Sequence, residues 1–400
     1  MIPAEAYEAF LLDLDGVVYR GTEVVPGAAR ALARLRESGR RVLFLTNNSA
    51  RTPEQIVEKL EGLGVAADPG EVVTSAQALA GFLAGRDGDR TAFVIGEDGV
   101  REALRDAGIE VLEGEPDRAG YVVVGWDRDL TYDDLRTASV LVGRGATLVA
   151  TNADASYPAE GGELWPGAGS ILAAVETATG VAAEVAGKPD APLFEAALER
   201  AGTRSAAVIG DRIETDIAGA RGAGLDGILV WTGAASPANL LDHDALPVAT
   251  LDGLEGLFEE RPRARLRPAG PPDAVRVIAL LEEAGLDAAE APTETVVAID
   301  GGDVVGTAAC DVQGDQAYLR SVTVSESARG FGVGALVTAA AVRDAVARGA
   351  RGVYLVTESA EGFFARLGFE LLERRALPAW VRARSTECSE SASPMTRSVA

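Results

Sequence analysis

The chain has 400 residues, 47% of them hydrophobic, which is enough to bury a sizeable core and more than one domain usually holds, so two or three domains are expected. A net charge of −24 and an isoelectric point near 4.5 exclude nucleic acid and anionic membrane as general partners, because phosphate backbones are gripped by clustered Lys and Arg. No window holds 18 uninterrupted apolar residues and no basic-then-apolar leader opens the chain, so neither a membrane span nor a signal peptide is expected.

In chain order, short β-rich runs alternate with amphipathic helical patterns. FLLDLD is followed by a helix near 27–38, RVLFLTN by a helix near 53–63, and then EVVTSA. This is the pattern of βαβ units and a parallel sheet. From Ala92 the alternation restarts with AFVIG, a helix near 99–107, YVVVGWD, a helix near 131–143 and ATLVATN, which reads as an inserted α/β domain. The first domain resumes with a helix near 190–201, SAAVIGD, a helix near 214–223 and GILVWTG. The predicted architecture is α/β: a Rossmann-like parallel-sheet core over 1–78 and 185–258, interrupted by an α/β insert over 79–184. A linker rich in Pro and Arg is expected over 259–272, its middle already reading as a strand. From 264 to 400 the texture is that of a mixed α/β domain. A helix precedes TVVAID, GDVVGTAACDV and QAYLRSVTV, and the DGG and QGD turns between them predict an antiparallel meander. The Ser-rich tail after Ser385 reads as loosely ordered or as an edge strand.

The chemistry gathers at predicted strand ends. Asp13 and Asp15 share one face of an extended strand, and two like charges at ~4 Å cost about 4 kcal/mol at the effective dielectric of a protein surface, so a cation or a proton must offset them. In a doubly wound core, strand C-termini line one crevice, which collects Asp13, Asp15, Thr46, Lys188 of AGKPD, and Asp211 and Asp216 of GDRIETD. Lysine is rare here, occurring only at Lys59 and Lys188. Mg²⁺ prefers carboxylate, carbonyl and water oxygens, so Asp13 and Asp211 are candidates to share one ion, with Thr46 and Lys188 facing the other oxygens of a phosphoryl group. The single histidine, His243, leaves no His-based triad. Cys310 and Cys388 stand in neither a CxxC nor a zinc spacing, which fits a reducing cytoplasm.

The order DLDGVVYRG, FLTNN, GKP and GDRIETDI resembles the haloacid dehalogenase superfamily of aspartate-nucleophile phosphatases. The position of the insert, with VVVGWD, TNADASYP and PGAGS, is similar to its NagD-like subfamily of small-molecule phosphatases, over roughly 6–255. The resemblance implies that Asp13 attacks phosphorus to give an aspartyl-phosphate, and that Asp15 protonates the leaving alkoxide, then activates water, and lends its backbone carbonyl to Mg²⁺. It further implies that Thr46 and the backbone around Asn47 hold the phosphoryl group, that Lys188 screens charge, that Asp211 ligates the metal, and that Asp216 orients that ligand or its waters. The metal set is thus Asp13, Asp15, Asp211 and Asp216. Asn152 and Asp154, at the return from the insert, either read the substrate or build a turn. The implied partner is a small phosphorylated metabolite of glycerol phosphate, phosphoglycolate or sugar phosphate type. The insert is implied to act as a cap, through which capped relatives often pair as homodimers.

The C-terminal stretch SVTVSESARGFGVGALVTAAAV reads as a strand, a glycine-rich turn and a helix start, which aims backbone N–H groups at an anion. It resembles the R-x-x-G-x-G pyrophosphate loop of the GNAT acyltransferases, and YLRSVTV with TESAEGFFARLGF is similar to arsenic-resistance-type N-acetyltransferases. That likeness implies acetyl-CoA as ligand, bound by Val324, Arg329, Gly330, Gly332, Val333 and Gly334, with an unidentified amine as acceptor. One departure stands out. Where many GNAT enzymes carry a tyrosine acid, this chain has Phe363-Phe364-Ala365-Arg366-Leu367-Gly368-Phe369. Tyr354, Ser321 or a water substitutes, or the module binds acetyl-CoA without turning it over. The phenylalanines themselves read as core, and Cys388 either lies near the acceptor or is a packed free cysteine.

Overall fold

The structure is a computed structural model and describes residues 1–158, 163–286, 293–385, 389 and 391–399. It divides into two compact units, one of Ala4–Gly233 with Asp252–Phe258, the other of Met1–Pro3, Ala234–Leu251 and Glu259–Ala400.

The first unit opens with strand β1 (Ala9–Asp13), a short flap hairpin of β2 (Tyr19–Arg20) and β3 (Glu23–Val24), then β4 (Arg41–Thr46) and β5 (Val72–Thr74). An insert follows with β6 (Thr91–Ile95), β7 (Glu110–Leu112), β8 (Tyr121–Val124) and β9 (Thr147–Ala150), a hairpin of β10 (Ser156–Pro158) and β11 (Leu164–Pro166), and β12 (Glu184–Val185). The chain then returns through β13 (Ala206–Gly210) and β14 (Asp226–Val230). The first sheet carries β14-β13-β1-β4-β5 side by side, every pair parallel, and the insert has its own parallel sheet in the order β12-β9-β8-β6-β7.

Local sequence explains these elements. In β1 the run AFLL is fully buried and only Asp13 reaches partial exposure, as expected of a parallel strand covered on both faces. Helix Ala191–Ala201 starts with Pro192 in its first turn and ends on Gly202 in the left-handed region, and it lays Leu193, Phe194, Ala197 and Leu198 against Leu11, Leu45 and Val208. Helix Pro53–Gly62 begins with a capping box between Thr52 and Gln55. The same device, Thr74 with Gln77, starts helix Ser75–Ala84, which the alternation of strand-like runs does not announce. The predicted helix near 214–223 is instead a π-helical turn, Ile213–Ile217, running into a short α-helix, Ala218–Gly222.

The second unit holds the short strand β15 (Ala249–Leu251) and a sheet of β16 (Arg265–Pro268), β17 (Thr295–Asp300), β18 (Asp303–Gln313), β19 (Gln316–Val324), β20 (Gly352–Thr357), β21 (Glu370–Leu371) and β22 (Ser393–Ser398). Its order is β16-β17-β18-β19-β20-β22-β21, antiparallel through β19 and then parallel between β19 and β20 over Gln316–Tyr318 alone. The meander is therefore present. The tail forms no edge strand, because β22 lies between β20 and β21 and bonds to both; Cys388 lies outside the described residues. Helix Val333–Ala347 buries Leu336, Val337 and Val342 against this sheet. The stretch Ala234–Leu251 packs with this unit: Asp244 meets Arg343 at 3.0 Å, Asp242 pairs with Arg397, and Thr250 lies over Gly332. Motif-bearing residues end before this stretch, and only packing assigns it. Among the described residues no helix is long and apolar enough to cross a membrane.

Phe194 is fully buried, and its ring comes within 2.3 Å of where a side chain on Gly219 would begin, so it packs helix Ala191–Ala201 against the segment that follows Asp216. Replacing Phe194 by alanine is expected to cost the first unit about 3–5 kcal/mol, measured by denaturant unfolding.

Candidate active site

The register of the first sheet sets its strand ends in line, with Asp13 opposite Leu45 and Leu12 opposite Ile209. Asp13 ends β1, Thr46 ends β4, and Asp211 follows β13, so all three emerge at one edge. The segment before helix Ala191–Ala201 adds Lys188. Its Nζ donates to Asp13 Oδ1 at 2.5 Å and to Asp216 Oδ1 at 2.6 Å, with the lysine side chain only 5% exposed.

Asp216 is 1% exposed and lies inside the crevice. The π-helical turn is what turns it inward, and its Oδ2 accepts from the Arg212 N–H at 3.1 Å. Close approach needs glycines. A Cβ on Gly210 would stand 2.1 Å from Asp216 Cβ, and one on Gly233 would stand 1.9 Å from Asp211 Oδ2.

Electrostatics follow from this geometry. Burial, joined by the negative charges of Asp216 and Asp211, pushes the Asp13 carboxyl well above the usual carboxylate range, with Lys188 opposing. Burial would also lower the Lys188 ammonium, but Asp13 and Asp216 more than offset it and keep it charged. Carboxylate oxygens of Asp13, Asp211 and Asp216 all lie within 4.8 Å of one another. Three carboxylates against one ammonium leave two formal negative charges, which a divalent cation would balance. These are hard oxygen donors of the kind Mg²⁺ takes. Since both oxygens of Asp216 are already engaged, Asp13 and Asp211 are the side chains best placed as direct ligands, with Asp216 holding Lys188 and the turn.

Asp15 stands outside that three-carboxylate cluster. It is half-buried, and burial raises its carboxyl while Lys59 draws it down, which suits a group that must hold a proton. Thr46 Oγ1 accepts from the Asn48 N–H at 3.1 Å, leaving its own hydrogen to donate. Asn47 is a hub: its Nδ2 donates to Asp154 Oδ2 and to the Lys188 carbonyl, both at 3.1 Å, and its Oδ1 accepts from the Lys188 N–H at 2.8 Å. Asn152, 3% exposed, donates to the Asn47 carbonyl at 2.7 Å and accepts from the Asp154 N–H at 3.1 Å. Its amide is thus spent on the turn that joins insert to core. The two flanking groups that motif reading passed over are Tyr19 and Lys59, the latter 3.6 Å from the centroid of the tyrosine ring. The rarity of lysine was the available signal.

In the second unit, β19 ends at Val324 and a short turn leads to Arg329, Gly330 and Gly332, both glycines in the left-handed region, before helix Val333–Ala347 begins. Arg329 Nε donates to the Val324 carbonyl at 3.3 Å. The loop thus delivers Val333 and Gly334 at the start of a 15-residue helix, the geometry of an anion-binding N-terminus. Ser321 sits at φ 58° where β18 and β19 slip register, a bulge past which they pair again from Thr323 to Val324. Phe364 and Phe369 are buried and meet edge-on, so these two are core, whereas Phe363 is half-buried and lies 3.4 Å from where a Gly334 side chain would begin. The Tyr354 hydroxyl lies 3.6 Å from where a Gly352 side chain would begin, so it points back along β20. Cys310 is buried, and burial pushes its thiol up.

Comparison with known proteins agrees with this geometry. Residues 10–110 match the haloacid dehalogenase-like hydrolase family, 185–257 the HAD-hydrolase-like family, and 257–369 the acetyltransferase (GNAT) family. The chain is 36% identical over 256 residues to an acid sugar phosphatase of Staphylococcus haemolyticus, covering 64% of this chain and 96% of that protein. A glycerol phosphate phosphatase of Mycobacterium tuberculosis, solved in complex with magnesium, is 29% identical and superposes with a TM-score of 0.71 over 92% of this chain and 98% of that one. A 4-nitrophenylphosphatase of Thermotoga maritima is 32% identical, with a TM-score of 0.60 over 64% of this chain and 98% of its own. With buried acids at the ends of β1 and β13 joined by one lysine, and relatives matched over nearly their whole length, the chain belongs to the haloacid dehalogenase-like hydrolases and carries a GNAT-family domain at its C-terminus.

Proposed function

We propose that the chain is a Mg²⁺-dependent phosphatase acting on small phosphate monoesters of glycerol phosphate or sugar phosphate type, through an aspartyl-phosphate on Asp13. The observation that carries this is Lys188 Nζ bridging Asp13 and Asp216, with the carboxylates of Asp13, Asp211 and Asp216 within 4.8 Å. The names of the similar phosphatases support the substrate class.

Each side chain has a separate task. Lys188 fixes one Asp13 oxygen, leaving the second to attack phosphorus as the ester P–O bond breaks. Asp15 gives its proton to the departing alkoxide and recovers one from the water that then cleaves the acyl phosphate. Thr46 and the backbone around Asn47 hold phosphoryl oxygens, while Lys188 stays charged between nucleophile and phosphate. Asp13, Asp211 and the Asp15 backbone carbonyl would hold Mg²⁺, which supplies positive charge against the phosphoryl oxygens when bound. The insert closes over the leaving group and keeps bulk water out.

For the C-terminal domain we infer that Val324, Arg329, Gly330, Gly332, Val333 and Gly334 bind acetyl-CoA through backbone N–H groups, and that the domain transfers acetyl to an amine. A second reading, acetyl-CoA binding without turnover, is favoured by two observations: the buried Phe364 packs where a tyrosine acid is common, and the Tyr354 hydroxyl is turned back toward Gly352.

Three outcomes are expected. Asp13→Asn should lower phosphate release by about 10⁴-fold or more in a screen of small phosphoesters with Mg²⁺; retained turnover would refute the nucleophile. Gly233→Ala, whose added carbon would displace Asp211, should weaken Mg²⁺ binding about 10- to 100-fold by titration calorimetry. In the C-terminal domain, calorimetry should detect acetyl-CoA binding, and thiol release with an amine panel separates transfer from binding alone.

A further inference from the structure

Tyr19 lies in the flap strand β2 just beyond Asp15, and the two are bridged through their backbones. Only 8% of the residue is exposed. Lys59, from helix Pro53–Gly62, places its Nζ 3.6 Å from the ring centroid. Among the described residues nothing exchanges a hydrogen bond with the Tyr19 hydroxyl. The ring is buried, yet the hydroxyl is not among the enclosed polar atoms that lack a partner, so the residue keeps its polar end accessible.

Its surroundings give that end a use. The phenol lies within electrostatic reach of Asp15, then Asp13, then Tyr157, with Arg51 also close. Tyr157 belongs to the insert hairpin and stacks on Trp126 at 4.2 Å between centroids. Tyr19 therefore stands between the proton-holding Asp15, to which its backbone is bridged, and Tyr157 of the insert hairpin. That is where the group leaving phosphorus must sit. Burial, Asp15 and Asp13 all push the phenol up, so it remains a donor at any working pH. The Lys59 ammonium against the ring face draws electron density from it and strengthens that donor.

We propose that Tyr19 is a specificity-determining residue whose phenol donates a hydrogen bond to a hydroxyl on the leaving group, so that the site selects phosphate esters of polyols and sugars over plain alkyl phosphates. The inference rests on the phosphatase reading above and narrows its substrate class. A neutral hydroxyl suits the position better than a carboxylate, because the Asp13 carboxylate also lies within electrostatic reach of the donor.

The test compares the full chain and its Tyr19→Phe variant with Mg²⁺ on glycerol 3-phosphate, propyl phosphate and phosphoglycolate, reading initial rates of phosphate release. The variant should lose about 10- to 100-fold more kcat/KM on glycerol 3-phosphate than on propyl phosphate, with most of the loss in KM. The ratio between the esters decides even for a less stable variant, since misfolding lowers both rates alike. Equal losses on glycerol 3-phosphate and propyl phosphate, or no loss on the former, overturn the proposal. A loss on phosphoglycolate as large as that on glycerol 3-phosphate overturns the restriction to hydroxyl-bearing groups. Wild-type protein that releases phosphate from none of the three refutes the phosphatase reading itself, and this proposal with it.

Discussion

An ammonium held between two buried carboxylates organises the first unit. Lys188 Nζ joins Asp13 to Asp216, and Asp211 and Asp216 are buried while Asp13 keeps slight exposure. Removing such charges from solvent is costly, and the cost is bearable only where partners are within hydrogen-bonding distance. The arrangement therefore demands four chain segments at one point: the end of β1, the loop after β13, the π-helical turn and the segment before helix Ala191–Ala201. Glycines at 210 and 233 let those segments approach, since a Cβ at either would overlap an acid side chain. The excess negative charge that remains is a standing demand for a cation, and that demand makes the site chemical rather than structural.

A second tier of contacts ties the insert to this centre. Asn47 holds both the Lys188 backbone and the Asp154 side chain through one amide, while its own carbonyl accepts from Ser75 and Asn152. A displacement of the insert's return strand is thereby felt at the lysine that steadies the nucleophile. Gly187 fits the same purpose, as a Cβ there would stand 2.5 Å from the Thr151 carbonyl oxygen. Positioning of the nucleophile and placement of the insert share one set of hydrogen bonds, which gives a physical route by which closing over a substrate tightens the site.

The C-terminal unit uses a different logic. Its strands β19 and β20 pair at Gln316–Tyr318, and the bulge near Ser321 shifts the register between β18 and β19 before pairing resumes at Thr323. The glycine loop next to it offers backbone donors in place of charged side chains. In a chain carrying a net charge of −24, that is a sound way to hold an anion, since helix-end amides keep their polarity whatever the surface charge. The same unit takes Ala234–Leu251 into its packing, so the segment that follows the catalytic core in sequence supports the acetyltransferase-like fold in space.

Much of this is legible in the sequence itself. The apolar runs ending in Asp13 and Asp211, the rarity of lysine, and the alternation of strand and helix patterns determine a parallel core and a crevice of acids, because local periodicity and charge are written residue by residue. The meander of the C-terminal domain and its glycine loop are equally local. The structure alone decided which groups meet. Asp216 is expected in the acid crevice, but that it meets Lys188 by way of a π-helical turn is decided by the fold. Asn152 stays open between substrate ligand and turn builder until its amide is found spent on the turn. Tyr19 has no role of its own until the fold sets it beside Asp15 and Lys59. Likewise β22 enters between β20 and β21, and Ala234–Leu251 joins the second unit, by pairings between residues far apart in the chain. Sequence pattern reports what a residue offers to its near neighbours, whereas hydrogen-bond saturation and burial depend on distant segments, and only the folded chain brings those together.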